Sequence, residues 1–189
     1  MTRPIKTLIV LLVLAQAGPG VSDPPSELIG VYFDEYGQQI CEDNLMPYVP
    51  FPLWVVYTNP SVTSILGYEL GYHTTAEFLQ LGLYPPCGLI WIDPPELDNL
   101  YVVCGDPVPT SAATVLLRID YMALGYEDPE AVFYVDKASG SVQPGNNPHV
   151  ILADGSLMEV QAHVPAYTTL CCGVPSEEMG WGSIKCLYR

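Results

Sequence analysis

Beyond residue 27 the chain alternates apolar and polar positions with a period of two. That spacing places one face of a strand on a core and the other in water. Leu28 to Phe33 is apolar and stops at the turn residues Asp34-Glu35-Tyr36-Gly37. Pro52 to Thr58 (PLWVVYT) predicts a strand ended by Asn59-Pro60. Thr63 to His73 sets Ile65, Gly67 and Glu69 against Leu66, Tyr68, Leu70 and Tyr72. Glu77 to Leu83 fits either a strand or one helical turn, and Leu89 to Ile92 is a short strand closed by Asp93-Pro94-Pro95. Leu100 to Cys104 follows, and then Ala113 to Tyr121. In that strand Val115, Leu117, Ile119 and Tyr121 are expected on one face, with Thr114, Arg118 and Asp120 opposite. Ala131 to Asp136 and Leu157 to Val164 complete the set, and Val142 to Pro148, rich in Gly, Asn and Pro, reads as a long loop. About eight short strands separated by turn signals predict an all-β fold. The expected form is an antiparallel immunoglobulin-like or jelly-roll-like sandwich.

Composition narrows the setting of that fold. Nineteen Pro and sixteen Gly oppose a helical bundle and suit strands joined by tight turns. A charged fraction of only 14 % beside many Val, Leu, Ile and Tyr opposes disorder. The 189 residues contain 21 acidic and six basic side chains, for a net charge of −15. Such a chain lacks the basic surface needed to neutralise phosphates, which excludes nucleic acid and anionic membranes as partners. No Asn-x-Ser/Thr sequon occurs, since Asn59-Pro60-Ser61 is blocked by its proline, and this points towards a bacterial source.

The first residues carry a separate signal. Arg3 and Lys6 precede the unbroken apolar run Leu8 to Ala15, and small residues follow. That order is a secretory signal peptide, with cleavage expected after Ala17 or Ser22. The run is too short to span a bilayer, which takes about 20 residues. The expected organisation is therefore a signal peptide over 1–22, a sandwich over 23–175, and a C-terminal tail over 176–189 packed on it. The expected location is extracellular or periplasmic.

All six cysteines follow the leader: Cys41, Cys87, Cys104, Cys171, Cys172 and Cys186. In an exported chain an even count predicts disulfides. Cys87 and Cys104 flank one strand-turn-strand stretch and are placed to close it. Adjacent Cys171 and Cys172 call for different partners, with Cys186 the near choice and Cys41 the far one. A thiolate zinc site needs closer pairing than these spacings provide.

No sequence motif for catalysis is present. The chain has neither G-x-S-x-G nor H-E-x-x-H. His73, His149 and His163 are scattered, so zinc binding would require the fold to bring them together. A two-carboxylate glycosidase would draw on Glu69, Asp120 and Glu159. Calcium suits the acidic loops Asp34-Glu35, Glu42-Asp43-Asn44, Asp93 with Asp98-Asn99, and above all Glu127, Asp128 and Glu130. Exposed rings among Trp54, Trp91, Trp181 and the thirteen Tyr are candidates for stacking on sugars.

Three segments in order, Leu53-Val55-Tyr57-Asn59-Pro60, Ile65-Leu66-Gly67-Tyr68-Glu69-Leu70 and Val115-Leu116-Leu117-Arg118-Ile119, resemble the strand pattern of cohesin-like extracellular sandwiches. Gly30 to Asp34 and Trp181 to Lys185 are similar to uncharacterised secreted bacterial proteins. The chain departs from cohesins in its six cysteines and in lacking a recognisable dockerin-binding face. The resemblance implies the fold and carries over no site residue. The function expected from all this is non-enzymatic recognition, adhesion or surface assembly, with an extracellular protein or glycan as partner and no cofactor unless calcium. A carbohydrate-binding module, calcium-assisted or not, and a small acidic secreted hydrolase are the alternatives.

Overall fold

The computed structural model describes residues 27–42, 45–87, 89–92, 99–124 and 131–168. The expected signal peptide, 1–22, and the expected C-terminal tail, 176–189, lie outside them. The described residues form strands in two sheets, and the alternation along the sequence maps onto their inner and outer faces. The strands are β1 (Leu28–Tyr32), β2 (Cys41–Glu42), β3 (Pro50–Thr58), β4 (Ser64–Thr74), β5 (Phe78–Tyr84), β6 (Leu89–Ile92), β7 (Asn99–Pro109), β8 (Ala113–Ala123), β9 (Val132–Asp136), β10 (His149–Leu152), β11 (Leu157–Glu159), β12 (Gln161–Ala162) and β13 (Ala166–Thr168).

The five-stranded sheet runs β12-β1-β3-β8-β5. The eight-stranded sheet runs β11-β10-β4-β9-β13-β2, with β7 on the other side of β4 and β6 beyond β7. The sheets are mixed rather than wholly antiparallel: β12 joins β1 in parallel, and β13 joins β2 in parallel. The stretch expected as one strand over Leu157 to Val164 is divided between the sheets. It breaks at buried Val160, whose N–H bonds Pro148 O at 2.9 Å. Glu77 to Leu83 resolves in favour of a strand, β5.

Ile29, Leu53, Val55, Leu117 and Ile119 of one sheet pack on Leu70, Leu100, Val102 and Val150 of the other. At one end Phe51, Phe78 and Tyr121 meet Phe133 across the gap, with Phe78 and Phe133 centroids 5.2 Å apart.

A bulge in β8 alters the predicted facing. Val55 pairs with Leu117 but Val56 pairs with Val115, so Leu116 has no partner on β3. The alternation therefore inverts below the bulge. Leu117, Ile119 and Tyr121 face the core as expected, while Leu116 and Thr114 are buried and Val115 is only half-buried. The carbonyl of Leu116 is taken up by Tyr68 of the opposite sheet, whose hydroxyl donates to it at 2.5 Å.

A second interruption concerns the strand beside β4. Asp136 at the end of β9 faces Gly71, and His149 at the start of β10 faces Glu69. Only Leu70 lies between those two positions on β4, yet the chain spends residues 137–148 between β9 and β10. These residues, which include the predicted loop, contain no strand.

Candidate functional site

The outer face of the five-stranded sheet has two unequal halves. Over β1 and β3 it is covered by the turn after β1. Asp34 Oδ1 accepts the N–H groups of Gln38 and Gln39 at 2.9 Å each, which folds the turn back on the sheet. Gly37, at φ +70°, then lies so close that a Cβ would stand 2.7 Å from Thr58 Cγ2. Over β3, β8 and β5 the face is open. Register places Trp54, Arg118 and Tyr84 in one row, Pro52, Asp120 and Gly82 in the next, and Pro50, Met122 and Leu79 in the third.

Arg118 organises this open half. Its guanidinium lies 5.5 Å from the Trp54 ring centroid and 5.7 Å from that of Tyr84. It donates to both oxygens of Asp120, from Nε at 2.8 Å and from Nη2 at 3.1 Å. A planar guanidinium stacks on rings while gripping a carboxylate in its own plane, which a lysine cannot do. Tyr84 reaches back over Gly82, where a Cβ would stand 2.4 Å from its Oη and 2.8 Å from Cε2. The ring thus lies across bare backbone, and half of the residue remains exposed, at 52 %. Trp54 and Asp120 were named candidates in the sequence and Tyr84 entered only as one of the thirteen Tyr, whereas Arg118 was not a candidate. Arg118 and Asp120 at i and i+2 on a strand were the legible signal. Tyr84 carried none, because its position depends on the pairing of β5.

The edge beside this face is the second feature. Among the described residues β5 pairs with β8 alone, so its other backbone edge is open. Among the described residues the other outermost strands are short, two residues in β12, two in β2, three in β11 and four in β6, and the part of β7 beyond β6, residues 104–109, carries Asp106, Pro107 and Pro109. β5 has seven, FLQLGLY, with no charge and with Leu79, Leu81 and Tyr84 exposed. Proteins ordinarily blunt such edges with charge, proline or brevity. Next to its Phe78 end lie exposed Tyr48, whose N–H bonds Ala123 O at 2.9 Å, and exposed Leu124. A groove of about 310 Å³ opens nearby, lined by Phe33, Glu42, Leu45, Met46 and Phe51.

The carboxylates considered for hydrolysis are distributed differently from a cleft. Asp120 belongs to the face just described, whereas Glu69 and Glu159 lie in one row of the other sheet, on either side of His149. Both anchor the 137–148 segment. Glu69 Oε1 accepts the Ser141 hydroxyl, and Glu159 Oε1 accepts Asn147 Nδ2 at 2.8 Å. Asn99 and Ser139 add a reciprocal pair, Nδ2 to Oγ at 2.5 Å and backbone N–H to Oδ1 at 2.7 Å. Glu69 and His149 are buried with Nδ1 3.3 Å from Oε1.

The three histidines occupy separate environments. His73 lies 2.9 Å from Asp136 and stacks on Tyr134. His149 is buried beside Glu69. His163 packs against Tyr32, and burial holds its imidazole below the ordinary value despite the Val164 carbonyl beside it. Among the described residues no group of three His, Cys, Asp or Glu side chains is arranged to hold a metal. Of the calcium candidates, Glu127, Asp128 and Glu130 lie outside the described residues, as do Asp43, Asn44, Asp93 and Asp98. Glu42 accepts Gln39 Nε2 at 3.0 Å. Cys87 and Cys104 form a disulfide, tying the residue ahead of β6 to β7. Cys41 is also disulfide-bonded, and Cys171, Cys172, Cys186 and Trp181 lie outside the described residues.

The order of these strands, with β12 added in parallel to β1 and an interrupted strand beside β4, can be set against solved structures. The type II cohesin domain from the cellulosome of Acetivibrio cellulolyticus superposes with a TM-score of 0.50 at 12 % identity, over 77 % of this chain and 96 % of that one. The sandwich resembles a cohesin module. The cohesin module of a family 33 glycoside hydrolase from Clostridium perfringens aligns at a TM-score of 0.48 and 8 % identity, over 76 % of this chain and 96 % of its own. No family model and no curated protein sequence matches the chain. Among the described residues no helix is long and apolar enough to cross a membrane.

Proposed function

We propose that this chain is an extracellular, non-enzymatic recognition module that assembles with another protein. It takes an extended segment of that partner onto the open edge of β5. The observation that carries the reading is the edge itself: seven uncharged residues, with Leu79 and Leu81 exposed, in a chain of net charge −15. An added strand would satisfy the free backbone groups of β5, and its side chains would cover the leucines. The cohesin-like sandwich suits such a role, since the superposed domain is a type II cohesin domain from a cellulosome. The signal peptide read from Met1 to Ser22 and the disulfides support an extracellular setting.

The test uses the secreted chain and Leu81→Lys, which places a charge on the edge without touching the core. The native chain is expected to retain a protein from the extracellular fraction of its own producing cells, with β5 amides slowing in hydrogen exchange when the complex forms. Leu81→Lys is expected to lose both. Equal capture by Leu81→Lys, or β5 amides that are already fully protected in the isolated monomer, would refute edge pairing. Sedimentation velocity on the purified chain separates a foreign partner from a second copy.

A further inference from the structure

We infer that the open half of the five-stranded sheet is a binding platform for a neutral saccharide, centred on Tyr84, Arg118 and Asp120. Four observations meet there. The Tyr84 ring lies across Gly82, so one of its faces is against backbone while 52 % of the residue remains exposed. A pyranose offers a flat patch of C–H bonds, and the electron-rich face of an aromatic ring attracts such bonds. The Arg118 guanidinium lies over that ring at 5.7 Å from its centroid and is held to Asp120 through two hydrogen bonds, with 43 % and 18 % of the two side chains exposed. A locked pair of this kind offers N–H donors next to carboxylate acceptors, the pattern that neighbouring sugar hydroxyls match. The third is the support: Trp54 backs Arg118 from the opposite strand, so the guanidinium is positioned before a ligand arrives.

The fourth is charge. Arg118 and Lys137 are the only Lys or Arg between residues 7 and 184, and Lys137 donates its ammonium to the Gln143 carbonyl. Arg118 is already neutralised by Asp120. A platform so paired, on a chain of net charge −15, repels uronates and sulfated sugars and accepts an uncharged one. The platform also continues along the strands. Beyond the Arg118 row lie Pro52 and Asp120, then Pro50, Met122 and Leu79, which is room for more than one sugar ring.

This platform shares Leu79 with the β5 edge but uses neither the backbone groups of that edge nor Leu81, so its test can fail independently of protein docking. The full secreted chain is run in native gels containing hydroxyethyl cellulose, xylan or galactomannan, and in gels containing polygalacturonate. Retardation is expected with at least one neutral polysaccharide and none with polygalacturonate. Tyr84→Ala and Tyr84→Leu are expected to weaken it about tenfold or more, since each removes the flat ring. Tyr84→Leu keeps an apolar side chain on β5, and an unchanged melting temperature in that variant shows that loss of binding reports the ring rather than the fold. Tyr84→Phe is expected to retain binding, Arg118→Ala to weaken it, and Leu81→Lys to leave it intact. No retardation by any of the three neutral polysaccharides would overturn the inference. So would undiminished retardation of Tyr84→Leu, or retardation by polygalacturonate alone.

Discussion

His149 Nδ1 stands 3.3 Å from Glu69 Oε1, with both residues buried beneath the 137–148 segment. The same carboxylate oxygen accepts the Ser141 hydroxyl, so Glu69 joins the sheet to the segment that covers it. Loss of one member of a buried polar cluster leaves the others desolvated without compensation. Glu69→Ala is expected to destabilise the domain by about 1–3 kcal/mol. It is also expected to release the amides of residues 139–146 to hydrogen exchange. Ser141→Ala is expected to release the same amides at a smaller loss, about 1 kcal/mol. Thermal unfolding followed by exchange mass spectrometry measures both. Unchanged exchange in Glu69→Ala would show that the segment is held by other contacts.

Tyr68 joins the two sheets by its hydrogen bond to Leu116 O. Tyr68→Phe removes that donor and leaves a buried carbonyl unsatisfied, for an expected loss of about 1–3 kcal/mol in denaturant unfolding at pH 7.

The buried tyrosines also set the alkaline limit. Burial raises Tyr68, Tyr121 and Tyr57 above the ordinary tyrosine value, with the Glu27 carboxylate adding to the effect at Tyr57. The folded state therefore holds these protons more tightly than the unfolded one. Their stabilisation is complete below about pH 10 and is lost as pH rises beyond it. Unfolding by base is expected to begin above about pH 10, accompanied by the absorbance change of tyrosinate. Ionisation of all thirteen tyrosines while the near-ultraviolet circular dichroism stays native would contradict this.

Gly67 permits the close approach of β4 and β7. A Cβ at that position would stand 2.1 Å from the Val102 carbonyl oxygen, an atom of the backbone that cannot swing aside. Gly67→Ala is expected to separate the two strands and to unfold the domain at a lower temperature than Gly105→Ala, where a Cβ meets nothing within 4 Å. Equal melting temperatures would show that the sheet absorbs the methyl group.

The Cys87–Cys104 disulfide closes a loop with a sequence separation of 17. Loops of that size contribute about 3 kcal/mol by restricting the unfolded chain. The Cys87→Ser/Cys104→Ser variant is expected to lose about that amount in denaturant unfolding and to retain the strand signature in far-ultraviolet circular dichroism. A loss of secondary structure at neutral pH would mean that the bond is needed to form the sandwich at all.

Much of the sandwich was legible because a strand half-buried on a core must alternate its side chains. Leu53, Val55 and Tyr57 of β3 and Tyr68, Leu70 and Tyr72 of β4 announced their inward face in this way. The pairing of Cys87 with Cys104 was also readable, since the two cysteines flank a single hairpin. Very short strands were not readable. Cys41–Glu42 and Ala166–Thr168 exist because a neighbour pairs with them, and two or three residues hold no period.

What the sequence determined by itself was therefore the class of fold, the inward-facing residues of its longer strands, and the charge that shapes what it can bind. Tertiary structure decided the rest. It turned Leu116 inward through a bulge, divided residues 157–162 between two sheets, and gave buried Glu69 and exposed Glu159 an anchoring role. It also brought Tyr84 beside Arg118, 34 positions along the chain, by pairing β5 with β8. Alternation reports which face of a strand is buried, whereas the neighbouring strand and its register are set by contacts between residues far apart in sequence.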